Sequence, residues 1–354
     1  MTKVLFILKR REDYNSAVHN HQGLSTGLYN SASFIDNMLN ENGVQSKMVV
    51  VVDNNYIDRE VTAYRPTHVI IEALWVTPSK FAILQKLHPS VKWIIRLHSE
   101  MPFMAGEGMA MDWIGDYAEF NNVYIGVNAP RMLRETKLFL QTKNPGRIWD
   151  SRVIYLPNFY PQEYKTKKFN RDKDVIDIGC FGAVRPLKNH LLQAFGAMEF
   201  ADSIGKKLRF HVNAGRIEMQ GGPVLQNLKG VFQHLYDRGH EMINHQWTPR
   251  EEFLKLCGEM DIGLQVSFSE TFNIVGADLV SQGVPLVGSK EIPWAVTAFT
   301  ADPTSSVDIA NKLKLAYTMP WVNVKTNQWS LTHYTDKTVS IWTKYFTKGE
   351  IYGA

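Results

Sequence analysis

The chain has 354 residues, 44% hydrophobic and 21% charged, enough to bury a large core and more than one core usually spans, so two domains are expected. A net charge of +4, with neither half forming a basic block, neither requires nor excludes a nucleic-acid partner. Two cysteines, Cys180 and Cys257, with no Cys/His cluster beside them, exclude a disulfide framework and a zinc site and read as buried small hydrophobes.

Met1 leads into VLFIL with no charged leader, long apolar region or cleavage site, and no apolar run approaches the ~20 residues of a membrane helix. A cytoplasmic protein without stable membrane insertion is expected. In chain order, strands are predicted at KVLFIL (3–8), SKMVVVV (46–52), THVIIEAL (67–74), VKWIIRLH (91–98), NVYIGV (122–127) and RVIYLP (152–157). Helical patterns separate them. Leu28, Ala32, Ile35 and Leu39 recur at helix spacing, with Asn42-Gly43 as a stop signal. The same alternation resumes with VIDIGCFG (175–182), KLRFHVNAG (207–215), DIGLQVS (261–267) and VPLVGS (284–289). It is the pattern of parallel sheets covered by helices, here two doubly wound sheets. The boundary is expected in the polar, aperiodic stretch 158–174, giving domains over 1–165 and 166–330. A final helix, with Val339, Trp342 and Phe346 on one face, lies in 331–354.

Ligands of open α/β sheets bind beyond the carboxyl ends of strands, so the residues after each predicted strand are the candidates. The loop 9–27 carries Gly23 and Gly27 and opens a helix, which suits a phosphate, although its spacing is not GxGxxG and a plain surface loop reads equally well. FGAVRPLKNH (181–190) presents Arg185 and Lys188 just before a helix; two cations there suit a diphosphate, and a solvated basic turn is the plainer reading. His98 ends an apolar strand, a place that more often holds a structural histidine than a catalytic one. In SETFNIVGADLVSQGVPLVGS (269–289), Glu270 and Asp278 lie a little over two helical turns apart and can accept hydroxyl hydrogen bonds. Support of a helix N-terminus would explain Glu270 alone, but not a carboxylate at 278 among Val275, Gly276, Ala277, Leu279 and Val280. The formal DxD at Asp172-Lys173-Asp174 sits in the charged linker and is not read as a metal site. Trp247 suits nucleobase stacking or ordinary packing.

Taken together, these stretches resemble the GT-B glycosyltransferases, and among them the retaining enzymes of glycosyltransferase family four. SETFNIVGADLVSQGVPLVGS resembles that family's E-x7-E segment and following G-x-P-V-V turn, with Asp278 where the second Glu is usual. CFGAVRPLKNHLLQAF is similar to its diphosphate-binding stretch, VIYLPNFYPQEY to its domain handover, and RLHSE to its strand-end histidine region. The resemblance implies two Rossmann-like domains facing a cleft, with a C-terminal helix crossing back to the first. It implies a nucleotide-diphosphate sugar donor, a UDP-sugar, and no cofactor or metal. The implied catalytic residues are His98, Glu270, Arg185 and Lys188. Gly23, Gly27, Gly182, Thr271, Phe272, Asn273 and Asp278 would bind the donor, Asp278 at the ribose hydroxyls. RLHSEMPFMAGEGMAMDWIG (96–115) is similar to glycosyltransferase-like proteins of tailed bacteriophages, which implies double-stranded DNA carrying 5-hydroxymethylpyrimidines as acceptor and a host-cytoplasmic setting. Lys9, Arg10 and Arg11 would meet its phosphates. A saccharide or lipid-linked saccharide acceptor is the alternative. A sugar-nucleotide epimerase and a silent nucleotide-sugar binder are the rival classes.

Overall fold

The computed structural model describes residues 2–10, 27–149, 151–234 and 239–352, which form two compact units. One unit takes in the described residues up to Pro161 and those from Thr335 onward; the other is Gln162–Tyr334.

The first unit holds strands β1 (Lys3–Lys9), β2 (Gln45–Val51), β3 (His68–Glu72), β4 (Lys92–Leu97), β5 (Val123–Val127) and β6 (Val153–Tyr155). They form one sheet in the order β2-β1-β3-β4-β5-β6, every pair parallel. Because helices cover both faces, the strands are apolar on both sides: Val4 to Leu8 are all buried, with Leu5 and Ile7 in one core layer and Val4, Phe6 and Leu8 in another. The connections are α1 (Gly27–Glu41), α2 (Ile57–Tyr64), α3 (Pro78–Leu87), α4 (Met101–Met104), α5 (Ala110–Glu119) and α6 (Pro130–Lys143). In α1, Ala32, Ile35 and Leu39 are fully buried on one stripe, as their spacing predicts, and Gly43 at φ +78° provides the left-handed residue that ends it.

The second unit holds β7 (Val175–Gly179), β8 (Lys207–Val212), β9 (Glu241–Asn244), β10 (Ile262–Gln265), β11 (Leu286–Ser289) and β12 (Thr300–Ala301), again all parallel, in the order β12-β11-β10-β7-β8-β9. Its helices are α7 (His190–Ser203), α8 (Gly221–His234), α9 (Arg250–Glu259), α10 (Ile274–Ser281), α11 (Ser306–Thr318) and α12 (Pro320–Lys348). The last turns of α12 belong to the first unit, where Trp342 is fully buried with its ring 6.1 Å from that of Phe6. Within the second unit, Asn323 of α12 bonds both backbone groups of Leu286, accepting from its N–H at 2.8 Å and donating to its carbonyl at 2.9 Å.

Ten strands lie where the sequence predicts them, most of them one to three residues shorter. Both β9 and β12 are additions at sheet edges, and α12 begins at Pro320, well before the expected terminal segment. In the second sheet the chain runs from β7 outward through β8 to β9, then returns to the other side of β7 to lay down β10. The carboxyl ends of β7 and β10 are therefore neighbours at a topological switch point, where such sheets open a crevice.

Candidate active site

The loop after β7 begins with Gly182 at φ +116°, a conformation open to glycine, whose N–H donates to Asn213 Oδ1 at 2.7 Å. A Cβ here would sit 3.8 Å from Lys188 Cε, so bare backbone faces the lysine stem. Arg185 leads into a 3-10 turn over Pro186–Lys188, and left-handed Asn189 (φ 59°) closes it. Asn189 donates to the carbonyls of Val266 (3.0 Å) and Pro303 (2.8 Å). Gln193 donates to Lys188 O (2.7 Å) and accepts from Val266 N–H (2.6 Å). These bonds pin the turn to the end of β10, and the consequence is direct contact: Lys188 Nζ lies 2.5 Å from Glu270 Oε1, with both side chains largely buried.

The segment Glu270–Asn273 is itself braced. Asn273, left-handed at φ 61°, caps α10 by accepting from Gly276 N–H at 2.7 Å, and it donates to Gln265 Oε1 at 3.0 Å. Phe272 is buried between the rings of Trp294 and Tyr334, and Trp294 Nε1 donates to its carbonyl at 2.7 Å. Thr271 is half-buried beside them. The positive end of α10 thus stands beside an ion pair already fixed in place. Asp278 is 1% exposed and pairs with Arg250, the first residue of α9, Oδ1 to Nη2 at 2.8 Å. A guanidinium offsets the cost of burying that carboxylate, and nothing in the sequence around Arg250 signals the partnership.

Arg185 Nη1 lies 3.2 Å from Glu218 Oε2, and the other oxygen of Glu218 is paired with Arg216, whose guanidinium stands 5.4 Å from the centre of the Trp247 ring. His190, at the start of α7, is 1% exposed and neither ring nitrogen has a hydrogen-bond partner. Burial, then the charges of Lys188 and Arg185, push its pKa down to about 3. Burial likewise pushes the Cys180 thiol up to about 12, and Cys257 is buried too, as small hydrophobes should be. Lys173, between the two acids of the DxD, bonds Asp177 (3.2 Å) and Asp261 (2.8 Å). Among the described residues no group of three or more His, Cys, Asp or Glu is arranged to hold a metal ion.

In the first unit, His98 follows β4 and its Nε2 is bonded to the carboxylate of Glu72, the last residue of β3. Glu72 and Arg96 are cross-strand neighbours, both fully buried, with Arg96 Nη1 3.2 Å from each carboxylate oxygen. Arg96 also donates to Leu156 O (3.2 Å) and to Asn158 Oδ1 (2.5 Å), and stacks 5.2 Å from the Trp342 ring. Burial raises the Glu72 carboxyl, but Arg96 and His98 outweigh it and hold the group below the ordinary carboxylate range. This brace was not read from the sequence. Its signal was there: one charge at the carboxyl end of each of two adjacent apolar runs. Lys9 and Arg10 are exposed at the end of β1, and Gly27 opens α1; Gly23 and Arg11 lie outside the described residues.

No protein-family model matches the chain, and no curated protein does. Solved structures do match. An α,α-trehalose-phosphate synthase (UDP-forming) from Burkholderia xenovorans, in complex with glucose-6-phosphate, superposes with a TM-score of 0.69 at 12% identity, covering 98% of this chain and 99% of that one. Sucrose-phosphate synthase from Thermosynechococcus elongatus gives 0.68 at 11%, covering 97% and 98%. S. aureus TarM, in complex with UDP among other ligands, gives 0.56 at 11%, covering 79% and 55%. The fold is GT-B. In this chain Lys188 and Glu270 are in contact at the switch point of the second sheet.

Proposed function

We propose that the protein is a retaining, metal-independent glycosyltransferase of the family-four type, taking its sugar from a UDP-sugar. The observation that carries this is the Lys188–Glu270 pair at the ends of β7 and β10, beside the N-terminus of α10. Phosphate, hydroxyl groups and developing negative charge are what such a place accommodates. Arg185 and Lys188 bind the diphosphate and offset the charge on the departing nucleotide, a role otherwise given to a metal. Glu270 accepts hydrogen bonds from sugar hydroxyls, with backbone at Thr271, Phe272 and Asn273 lining the same turn and Gly182 allowing close approach. Asp278, held by Arg250, takes the ribose hydroxyls. From the first unit, His98, oriented by Glu72, serves the transferred sugar, and Gly23 and Gly27 the donor side of their loop. The UDP assignment is supported by the UDP-forming and UDP-bound neighbours. Retention follows from front-face attack, in which the leaving phosphate helps deprotonate the acceptor.

The acceptor proposed is the hydroxymethyl group of a 5-hydroxymethylpyrimidine in double-stranded phage DNA, with Lys9, Arg10 and Arg11 on its phosphates; exposure of Lys9 and Arg10 is compatible with this. A saccharide acceptor is the second reading, favoured by neighbours named for trehalose-phosphate and sucrose-phosphate synthesis. No helix among the described residues is long and apolar enough to cross a membrane. Mass spectrometry after incubation with a panel of nucleotide sugars, plus hydroxymethylated DNA, unmodified DNA or sugar phosphates, tests all of this. A hexose or pentose mass gained only by hydroxymethylated DNA, and lost in Lys188→Ala, is expected. Gain on a sugar phosphate would replace the acceptor, and no transfer with any pair would refute the transferase reading.

A further inference from the structure

The loops after β7 and β8 are fastened to each other. Val184 N–H donates to Arg216 O (2.9 Å), Glu218 N–H donates to Val184 O (3.0 Å), and Val184 and Ile217 form an isolated parallel bridge. The turn that follows is strained, with Met219 at φ 40° and Gln220 at φ 62°, and Gly221 comes so close that a Cβ would stand 1.9 Å from Val184 O. Such a clamp fixes the backbone of Arg185, Arg216 and Glu218 relative to one another. Their side chains, each roughly a fifth exposed, meet at one point: a single carboxylate with a guanidinium on either oxygen.

We propose that Glu218 is a displaceable counter-ion, and that Arg216 is a second guanidinium for the donor's phosphates: a phosphoryl group of the nucleoside diphosphate takes the place of the Glu218 carboxylate between Arg185 and Arg216. The inference rests on the donor-site reading above. Two oxygens of one phosphoryl group have a spacing similar to those of a carboxylate, so the same pair of forks can grip either. Glu218 is the mobile partner in the exchange. Arg216 is steadied by the Trp247 ring, and the Glu218 side chain can turn toward solvent while its backbone stays bonded to Val184. The arrangement has two effects. With no donor bound, the carboxylate separates two like charges that the clamp forces together; with donor bound, its negative charge opposes the phosphates and hastens their release.

Calorimetry of UDP and of uridine binding to the wild type, Glu218→Gln and Arg216→Gln tests this, with thermal unfolding to confirm that each variant is folded. Glu218→Gln, which removes the charge and keeps the shape, is expected to bind UDP about five- to tenfold tighter, and Arg216→Gln about tenfold weaker, with uridine unchanged in both. In turnover, Glu218→Gln should lower KM and kcat together, because the nucleotide product leaves more slowly. Equal or weaker UDP binding by Glu218→Gln would make the residue a mere support for the two arginines and overturn the proposal alone. If the wild type binds no nucleoside diphosphate, the donor-site reading falls and this proposal with it.

Discussion

His190 gives the sharpest test of the packing around the site. Its ring is buried with no hydrogen-bond partner and two cations nearby, and its folded pKa is about 3 against 6.5 for an ordinary histidine. Protonation therefore favours the unfolded chain throughout the interval from 6.5 down to 3, and stability must fall as pH drops through it. At pH 5 the unfolded chain has gained about 2 kcal/mol from this one ring, being ~1.5 pH units under 6.5 at ~1.4 kcal/mol each. His190→Leu removes the titration together with two unpaired nitrogens, which by themselves cost about 1–3 kcal/mol. Urea unfolding of both proteins at pH 7.5 and pH 5 is the assay. His68, pushed down to about 4 by burial and by the charge of Lys92, and His245, also lowered, titrate in both proteins and cancel in the comparison. The wild type should lose about 2 kcal/mol more than the variant between the two pH values. Parallel losses would show that His190 finds a proton acceptor or water in the folded protein, and would refute the reasoning.

Glu72→Gln should destabilise the first unit by about 3–5 kcal/mol, since it leaves the Arg96 charge buried without its counter-charge; urea unfolding that shifts by under ~1 kcal/mol would mean the brace is not energetically coupled. Gly221→Ala should break the Val184 clamp, because the added methyl meets a backbone oxygen that cannot swing aside. Hydrogen exchange at the Val184 and Glu218 amides should accelerate in that variant, and unchanged protection would show that the loop re-forms around the methyl.

How much of this could be read in advance follows from where each signal lies along the chain. A run such as VLFIL announces a strand buried on both faces, because its β-branched and large apolar side chains have no polar face to turn outward. The edge strands escape notice for the opposite reason: EMIN of β9 and TA of β12 are short and only partly apolar, and are strands chiefly because a neighbour offers a ladder. Lys188 and Glu270 stand out as charges in loops after apolar strands, a local pattern. Arg250 and Glu218 do not, since Asp278 and Arg185 lie 28 and 33 residues away in elements that only the winding of the sheet brings together; Arg216, two residues from Glu218, reads alone as an ordinary surface ion pair. Glu72 and Arg96 are an intermediate case, visible as charges in apolar runs but paired only once β3 and β4 are known to be adjacent in register.

The bonds between Asn323 and Leu286 have a consequence for association. Among the described residues the sheet continues beyond β11 only as β12, two residues long and paired at Gly288 and Ser289, so the ladder beside Leu286 would otherwise lie open. A carboxamide carries the same donor and acceptor as a peptide bond, and here it occupies the seat that an extended segment of another molecule would take. A helix side chain thereby closes a rim where copies of the chain could otherwise join strand to strand into aggregates.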